Sequence, residues 1–438
     1  MQFNFTDFKK NGGKLHFIGC AGAGTGPLAA ICLELGFSCS GSDMIASELT
    51  DSLQKKGLAF HQGHAAENLP EGNASNLLVI HTSAASPDNP ELAEAHKRGI
   101  LCMKRGEALA HLGTLFPHTI AIAGSHGKTS VTALTVHILK KIGLNPGYLI
   151  GGTVHDSQIS GTAGDKKLFV TEVDESDSTN ALFHAETAVV TNVEDDHSWS
   201  VGGRKALFES FVKFARQSKK LLYVSGANPD RLFDGMNAVR LRSDEWKNFP
   251  GWQANWGGFQ KQNAYTAIRA VSLALGGLYP EIELFRAALS FPGVERRLSL
   301  RFDSPSYRII EDYAHHPTEL KASLSALAET NPNRRLIVIF QPHRYARLKK
   351  YLNEFAKILK TTQNPVFLAP VFAAWSDRSD TDSETLAEKI GENAHLLSGS
   401  WDDQAEQAAK KIRPGDLIAV IGAGDVKEII EPLRRRLE

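Results

Sequence analysis

The chain has 438 residues, too many for one ordinary hydrophobic core and enough for about three domains. Its 49 lysines and arginines balance 49 aspartates and glutamates, so no net charge draws it to nucleic acid or to an anionic membrane. The opening stretch MQFNFTDFKKNGGK lacks the apolar core of a signal peptide, and no apolar run reaches the ~18 residues of a membrane helix, so a cytoplasmic protein is expected.

The first predicted unit is KLHFIGCAGAGTGPLAAICLELG, a short strand over 15–18, a glycine-rich turn and a helix. Asp43 ends the next strand segment. The pattern invites a dinucleotide reading, but Ala21 stands where the second glycine of GxGxxG belongs, so a dehydrogenase is disfavoured. A turn that admits a phosphate or diphosphate, or one that only packs helix on strand, remains. Cys20, Cys32, Cys39 and Cys102 form no CxxC pair and have no histidine at zinc spacing, which predicts reduced thiols.

The second unit, TIAIAGSHGKTSVTALTVHILKKIG, repeats the grammar. Strand 119–123 runs into Gly124, Ser125, His126 and Gly127, and a helix starts near Lys128. That helix has Val131, Leu134, Ile138, Leu139 and Ile142 on one face and Gly143 as its stop. Gly127-Lys128-Thr129 fits the end of a triphosphate loop, although Ile122 occupies the place of the loop's usual first glycine. Backbone N–H groups and the helix dipole there favour an anion, Lys128 can reach the β- and γ-phosphates, and the Thr129 hydroxyl can ligate Mg²⁺. Downstream, KLFVTEVDESDS ends in Glu172, Asp174, Glu175 and Asp177, and TAVVTNVEDDH ends in Glu194, Asp195, Asp196 and His197. Two neighbouring strands ending in carboxylates would bring hard oxygen ligands to the loop, whereas either run alone reads as a solvated turn.

The third unit is RLIVIFQPHRYARLKKYLNEFAKIL, and a late strand, DLIAVIGAG, closes the same region. Strands alternating with helices predict an α/β protein with parallel sheets. Boundaries fall near Phe116-Pro117 and just after Arg297. His315, His316, His343, Arg344 and Arg347 concentrate in EDYAHHPTEL and QPHRYAR. Guanidinium forks at 344 and 347 suit a carboxylate or phosphate; a surface charge cluster is the plainer alternative.

Six stretches, HFIGCAGAG, GSHGKTS, TEVDESD, TNVEDDH, EDYAHHPTE and QPHRYAR, stand in the order and spacing of one family. From about residue 14 onward the chain resembles the Mur ligases, ATP-dependent enzymes of peptidoglycan precursor synthesis, whose own loop has the shorter form Gly-x-His-Gly-Lys-Thr. The resemblance implies a Rossmann-like UDP-sugar domain (1–115), a P-loop ATPase-like central domain (116–299) and a Rossmann-like amino-acid-binding domain (300–438). It implies ATP and Mg²⁺ as cofactors and an acyl-phosphate route that adds L-alanine to UDP-N-acetylmuramate. A sibling activity such as murein tripeptide recycling, or a non-ligating nucleotide binder, is the alternative. It gives no oligomeric state.

Carried over by position, the resemblance makes Lys128, His197, His315, Arg344 and Arg347 catalytic. ATP falls to Gly124, Ser125, His126, Gly127, Lys128, Thr129, Ser130, Asn263 and Arg297. The metal falls to Thr129, Glu172 and His197. The two other substrates fall to Gly22, Gly24, Asp43, His64 and Ser83, and to Tyr313, His343, Arg344 and Arg347. The chain departs from the family pattern at Ala21, Thr25 and Gly26 in the first loop, and at Phe259 and Gln260 before Asn263.

Overall fold

The computed structural model describes residues 3–154, 160–196, 198–374 and 379–438. The chain divides into two compact units, residues 1–250 with 262–292, and residues 251–261 with 293–438. The described residues form three sheets, and each is the floor of one α/β domain.

The first sheet contains β1 (Lys14–Ile18), β2 (Ser38–Asp43), β3 (Ala59–Gln62), β4 (Leu77–His81) and β5 (Leu101–Lys104). They run parallel in the order β3-β2-β1-β4-β5. The order reverses between β1 and β4, so a crevice opens above their carboxyl ends. The second sheet contains β6 (His118–Ala123), β7 (Gly147–Leu149), β8 (Gly161–Thr162), β9 (Leu168–Glu172), β10 (Thr187–Val190), β11 (Lys220–Val224) and β12 (Ala238–Leu241). Its order is β12-β11-β10-β6-β9-β7-β8, with only β8 antiparallel. Both strands that end in acidic runs, β9 and β10, therefore flank β6 directly.

The third sheet, in the second unit, contains β13 (Ser299–Asp303), β14 (Arg308–Asp312), β15 (Leu336–Phe340), β16 (Val366–Leu368), β17 (Ala394–Leu396) and β18 (Leu417–Ile421). Its order is β13-β14-β18-β15-β16-β17, with β13 antiparallel to its neighbour. The unbroken apolar run of β15 reflects burial on both faces. Val338 and Phe340 join one core cluster, and Ile337 and Ile339 join the other. The late strand, β18, lies at the sheet's centre, between β14 and β15.

The helix after β6, Lys128–Lys141, is more deeply covered than a one-faced amphipathic helix. Thr132, Ala133, Thr135 and Val136 are buried along with Val131, Leu134, Ile138 and Leu139, and Ile142 is only its cap. All four cysteines are free. Among the described residues, no helix is long and apolar enough to cross a membrane.

Candidate active site

The loop after β6 is shaped by two glycines and pinned by the strand beside it. Gly124 has φ +141, and a Cβ there would lie 1.9 Å from Thr191 Oγ1. Gly127 has φ +84 and caps the helix Lys128–Lys141. The segment after β10 holds the turn from outside. Asn192 Oδ1 accepts from the His126 amide at 2.9 Å, and Thr191 Oγ1 donates to His126 O at 2.6 Å. Ser125 Oγ accepts from Glu194 N at 2.8 Å, and His126 Nε2 lies 3.4 Å from Glu194 Oε2. Ser125 and His126 thus shape the turn, while Ser130 takes the helix's third position. Asn263 lies against the same turn, its Oδ1 3.0 Å from where a Gly127 Cβ would be.

Two carboxylates meet the loop's cation and hydroxyl. Lys128 Nζ donates to Gly124 O and to Glu175 Oε2, both at 2.7 Å. Thr129 Oγ1 donates to Glu172 Oε2 at 2.8 Å. Burial works against the lysine's charge, but Glu175 and Asp174 more than restore it, and its pKa stands above the ordinary lysine value. Burial pushes the Glu172 carboxyl up, with Lys128 and the Thr129 hydroxyl opposing. Glu175 Oε1 is buried with no hydrogen-bond partner among the described residues. His197, the expected third metal ligand and a catalytic candidate, lies outside the described residues.

At the carboxyl edge of the first sheet, a second glycine turn joins β1 to the helix Thr25–Glu34, with Gly24 as its cap. Asp43 Oδ2, at the end of β2, accepts from the Ala21 amide at 2.9 Å, and Gly22 N donates to Gly19 O at 3.2 Å. The unusual Gly26 has a local reason: a Cβ would lie 2.6 Å from Cys20 O and 2.7 Å from Leu49 Cδ2. His64 follows β3 and Ser83 follows β4, so Gly22, Gly24, Asp43, His64 and Ser83 all occupy one sheet edge. Arg105 joins them. Its Cδ would be 2.8 Å from a Gly24 Cβ, and its Nη2 donates to Asp177 Oδ2 at 3.1 Å.

The second unit gathers its own cluster at the carboxyl ends of β14 and β15. The Tyr313 ring has the Arg296 and Arg297 guanidinium groups 4.8 and 5.2 Å from its centroid. Tyr313 meets His315 edge-on at 5.4 Å, and His315 meets His343 at 5.7 Å. Arg347, 3% exposed, places Nη1 3.3 Å from His343 Nδ1. Burial, then His315, Arg347 and Arg344, pull the His343 pKa down to about 3, so this ring is neutral at physiological pH. Arg344 caps the helix Tyr345–Lys360 at φ +64, a backbone region that side chains other than glycine rarely occupy. Such strain is held only where its surroundings over-determine it. Arg297 Nη1 lies 3.8 Å from Glu319 Oε1, and Glu319 Oε2 accepts from the His315 amide at 3.1 Å.

The residue patterns did not single out Arg105 or Glu91, and they gave Glu175 only as one acid of the run that ends in Glu172, Asp174, Glu175 and Asp177. Each meets its partner across a long stretch of chain. For Arg105–Asp177 that is 72 residues, for Lys128–Glu175 it is 47, and for His16–Glu91 it is 75. Local periodicity carries no such pairing. A local signal that would mark the place of Glu91 is the Asn-Pro-Glu start of its helix, with Asn89 as the cap.

Comparison with known proteins is consistent along the chain. Family models described as "Mur ligase family, catalytic domain", "Mur ligase middle domain" and "Mur ligase, glutamate ligase domain" match residues 14–116, 122–233 and 296–424. A UDP-N-acetylmuramate–L-alanine ligase of Acetivibrio thermocellus is 33% identical over 448 residues, covering 95% of this chain and 94% of that protein. The enzyme of that name from Aquifex aeolicus is 32% identical, covering 95% and 96%. The fold resembles the crystal structure of the UDP-N-acetylmuramate–alanine ligase of Thermotoga maritima, with TM-score 0.77, 24% identity and coverage of 97% and 98%. It also resembles a murein peptide ligase of Psychrobacter arcticus, with TM-score 0.66, 21% identity and the same coverage.

Proposed function

The chain belongs to the Mur ligase family, and from that premise we propose that it joins L-alanine to the carboxyl group of UDP-N-acetylmuramate while ATP is cleaved to ADP and phosphate. The observation that carries this reading is the turn after β6. There a cationic lysine stands against the buried carboxylate of Glu175 and a helix-terminal hydroxyl against the half-buried one of Glu172, on a loop of the family's Gly-x-His-Gly-Lys-Thr form.

The chemistry accounts for the parts. A carboxylate is a poor electrophile at neutral pH. Its oxygen attacks the γ-phosphorus of ATP, ADP departs, and an acyl phosphate forms with a leaving group in place. The amine of L-alanine then attacks the acyl carbon, loses a proton and expels phosphate. Lys128 meets charge developing on the transferred phosphoryl group, where a fixed cation in a water-poor site is worth most. Gly124, Ser125, His126, Gly127, Thr129 and Ser130 form the nucleotide cradle, with Asn263 and Arg297 assigned to the nucleotide. Thr129 and Glu172 are hard oxygen donors that fit Mg²⁺, and they would hold it with His197. That ion supplies charge neutralisation to the triphosphate when bound.

Arg344 and Arg347 suit the alanine carboxylate, beside Tyr313, His315 and a His343 that stays neutral. The edge bearing Gly22, Gly24, Asp43, His64 and Ser83 takes the UDP-sugar. We assign 1–115, 116–299 and 300–438 to acceptor, ATP and amino acid respectively. Substrates of this kind are dissolved metabolites, which supports a cytoplasmic enzyme.

The test is ADP release by the full chain with Mg²⁺, ATP, UDP-N-acetylmuramate and a panel of amines and peptides. Release that requires both the acceptor and L-alanine is expected. Lys128→Ala should lower it by about a thousandfold or more. Preference for a tripeptide would reassign the chain to a recycling activity. ATP binding without amine-dependent release would make it a non-ligating relative.

A further inference from the structure

Glu91 is a buried carboxylate that the reaction above leaves without a part. It stands at the second position of the helix Pro90–Lys97, whose cap Asn89 accepts from the Glu91 and Leu92 amides through Oδ1. Its side chain is 0% exposed. Oε2 accepts from Ser42 Oγ at 2.6 Å and lies 2.9 Å from His16 Nε2. Oε1 accepts from Asn68 Nδ2 at 2.9 Å and from the Ala65 amide at 3.3 Å, and lies 3.1 Å from His64 Nδ1. A buried carboxyl without partners would take up a proton. Burial does push this one up, but hydrogen bonds from His16, Ser42 and Asn68 outweigh it and hold it at about 2.

What points beyond structure is the imidazole on the far side. His64 is 20% exposed, and only its Nδ1 is engaged, by Glu91 and Ser42. Its Nε2 has no partner among the described residues. An ionised carboxylate only accepts, so its neighbour Nδ1 must carry a proton, and Nε2 is the atom left for something else. The segment is anchored at both ends. Asn68 Nδ2 donates to Gly63 O at 3.0 Å, and Gly63 N donates to Asp43 O at 2.8 Å. Asp43 is the residue whose carboxylate holds the Ala21 amide of the first glycine turn.

We propose that Glu91 is a positioning residue for a nucleoside diphosphate: it fixes His64 with a proton on Nδ1 and locks segment 63–68, so that Nε2 makes a hydrogen bond to the UDP part of the acceptor. The inference rests on the reading that the first sheet's edge takes a UDP-sugar.

The test measures UDP binding to the full chain by calorimetry without ATP, for the wild type, Glu91→Gln, His64→Ala and the double variant. If Glu91 acts through His64, each single change weakens UDP about 10-fold and the double variant is no weaker than His64→Ala. ADP affinity stays unchanged throughout. A double variant weakened about 100-fold, or a single change without effect on UDP, overturns the proposal, because contributions that add are made independently and not by one residue acting through the other. Should Glu91→Gln fail to fold, Asn68→Ala keeps the carboxylate and removes one anchor. It should weaken UDP several-fold alone and not at all in the His64→Ala background, and any other pattern counts against the proposal. A wild type that binds UDP and shows this coupling, yet releases no ADP with amine, sinks the functional reading alone. A wild type that does not bind UDP sinks the inference.

Discussion

Lys128 does not wait for nucleotide as a bare cation, since Glu175 already holds it at 2.7 Å. On the proposed reading, a triphosphate has to take the lysine away from that carboxylate, and the exchange subtracts from the gain on binding. Glu175→Gln keeps the shape and removes the competing charge. ADP affinity measured without metal should rise several-fold, while thermal stability falls because a half-buried ammonium loses its nearest counter-ion and keeps only Asp174 and Glu172. Unchanged ADP affinity would mean that the carboxylate does not compete for the lysine. This pairing also marks the limit of the sequence. The strand, turn and helix around Gly127-Lys128-Thr129 were legible because they are contiguous, and the family motifs brought in Glu172. That Glu175, and not Asp174 or Asp177, takes the lysine depends on how the chain turns after β9, which composition does not encode.

The unit of strand, turn and helix repeats in all three sheets, and its register sets what each turn can present. The two apolar strands ending in acids were legible as neighbours of the loop strand, and β9 and β10 do flank β6. Less legible was the reason for individual glycines. Gly124 and Gly143 bracket the helix Lys128–Lys141 and both have positive φ, at +141 and +87. A Cβ at Gly143 would meet nothing within 4 Å, whereas at Gly124 it would meet Thr191 Oγ1 at 1.9 Å. Gly143→Ala should therefore cost only the backbone term, about 1 kcal/mol, with ADP binding intact. Gly124→Ala adds a steric clash, for a total of about 3 kcal/mol, and should abolish ADP binding because the turn must shift. Urea denaturation and calorimetry read the two effects separately. Equal losses in the two variants would show that Thr191 does not pin the turn.

Within the first unit, two sheets share one hydrophobic cluster. Leu15 and Phe17 of β1 and Leu78 and Ile80 of β4 belong to it with Ala121 of β6, Phe169 of β9 and Val190 of β10. A common core makes unfolding of the two sheets one cooperative event, since neither can expose its inner face without uncovering the other. Glu34 adds a polar tie across the same seam. Its Oε2 accepts from Thr162 Oγ1 at 2.6 Å and from the Ala163 amide at 2.7 Å, and its Oε1 pairs with Lys56 at 2.7 Å. Burial pushes this carboxyl up, but Lys56, Thr162 and Ala163 prevail and lower its pKa. The tie is therefore at full strength above the unfolded carboxyl value, 4.5, and weakens as pH falls below it. Glu34→Ala should destabilise the unit by about 1–2 kcal/mol at pH 7, and the difference from wild type should shrink toward pH 4. Hydrogen exchange gives the decisive reading. Peptides of β1 and of β6 should lose protection together in the variant, by similar factors, while those of β15 and β18 in the second unit keep theirs. Loss confined to β1 would mean that the shared cluster does not couple the two sheets, and that each domain of the first unit unfolds alone.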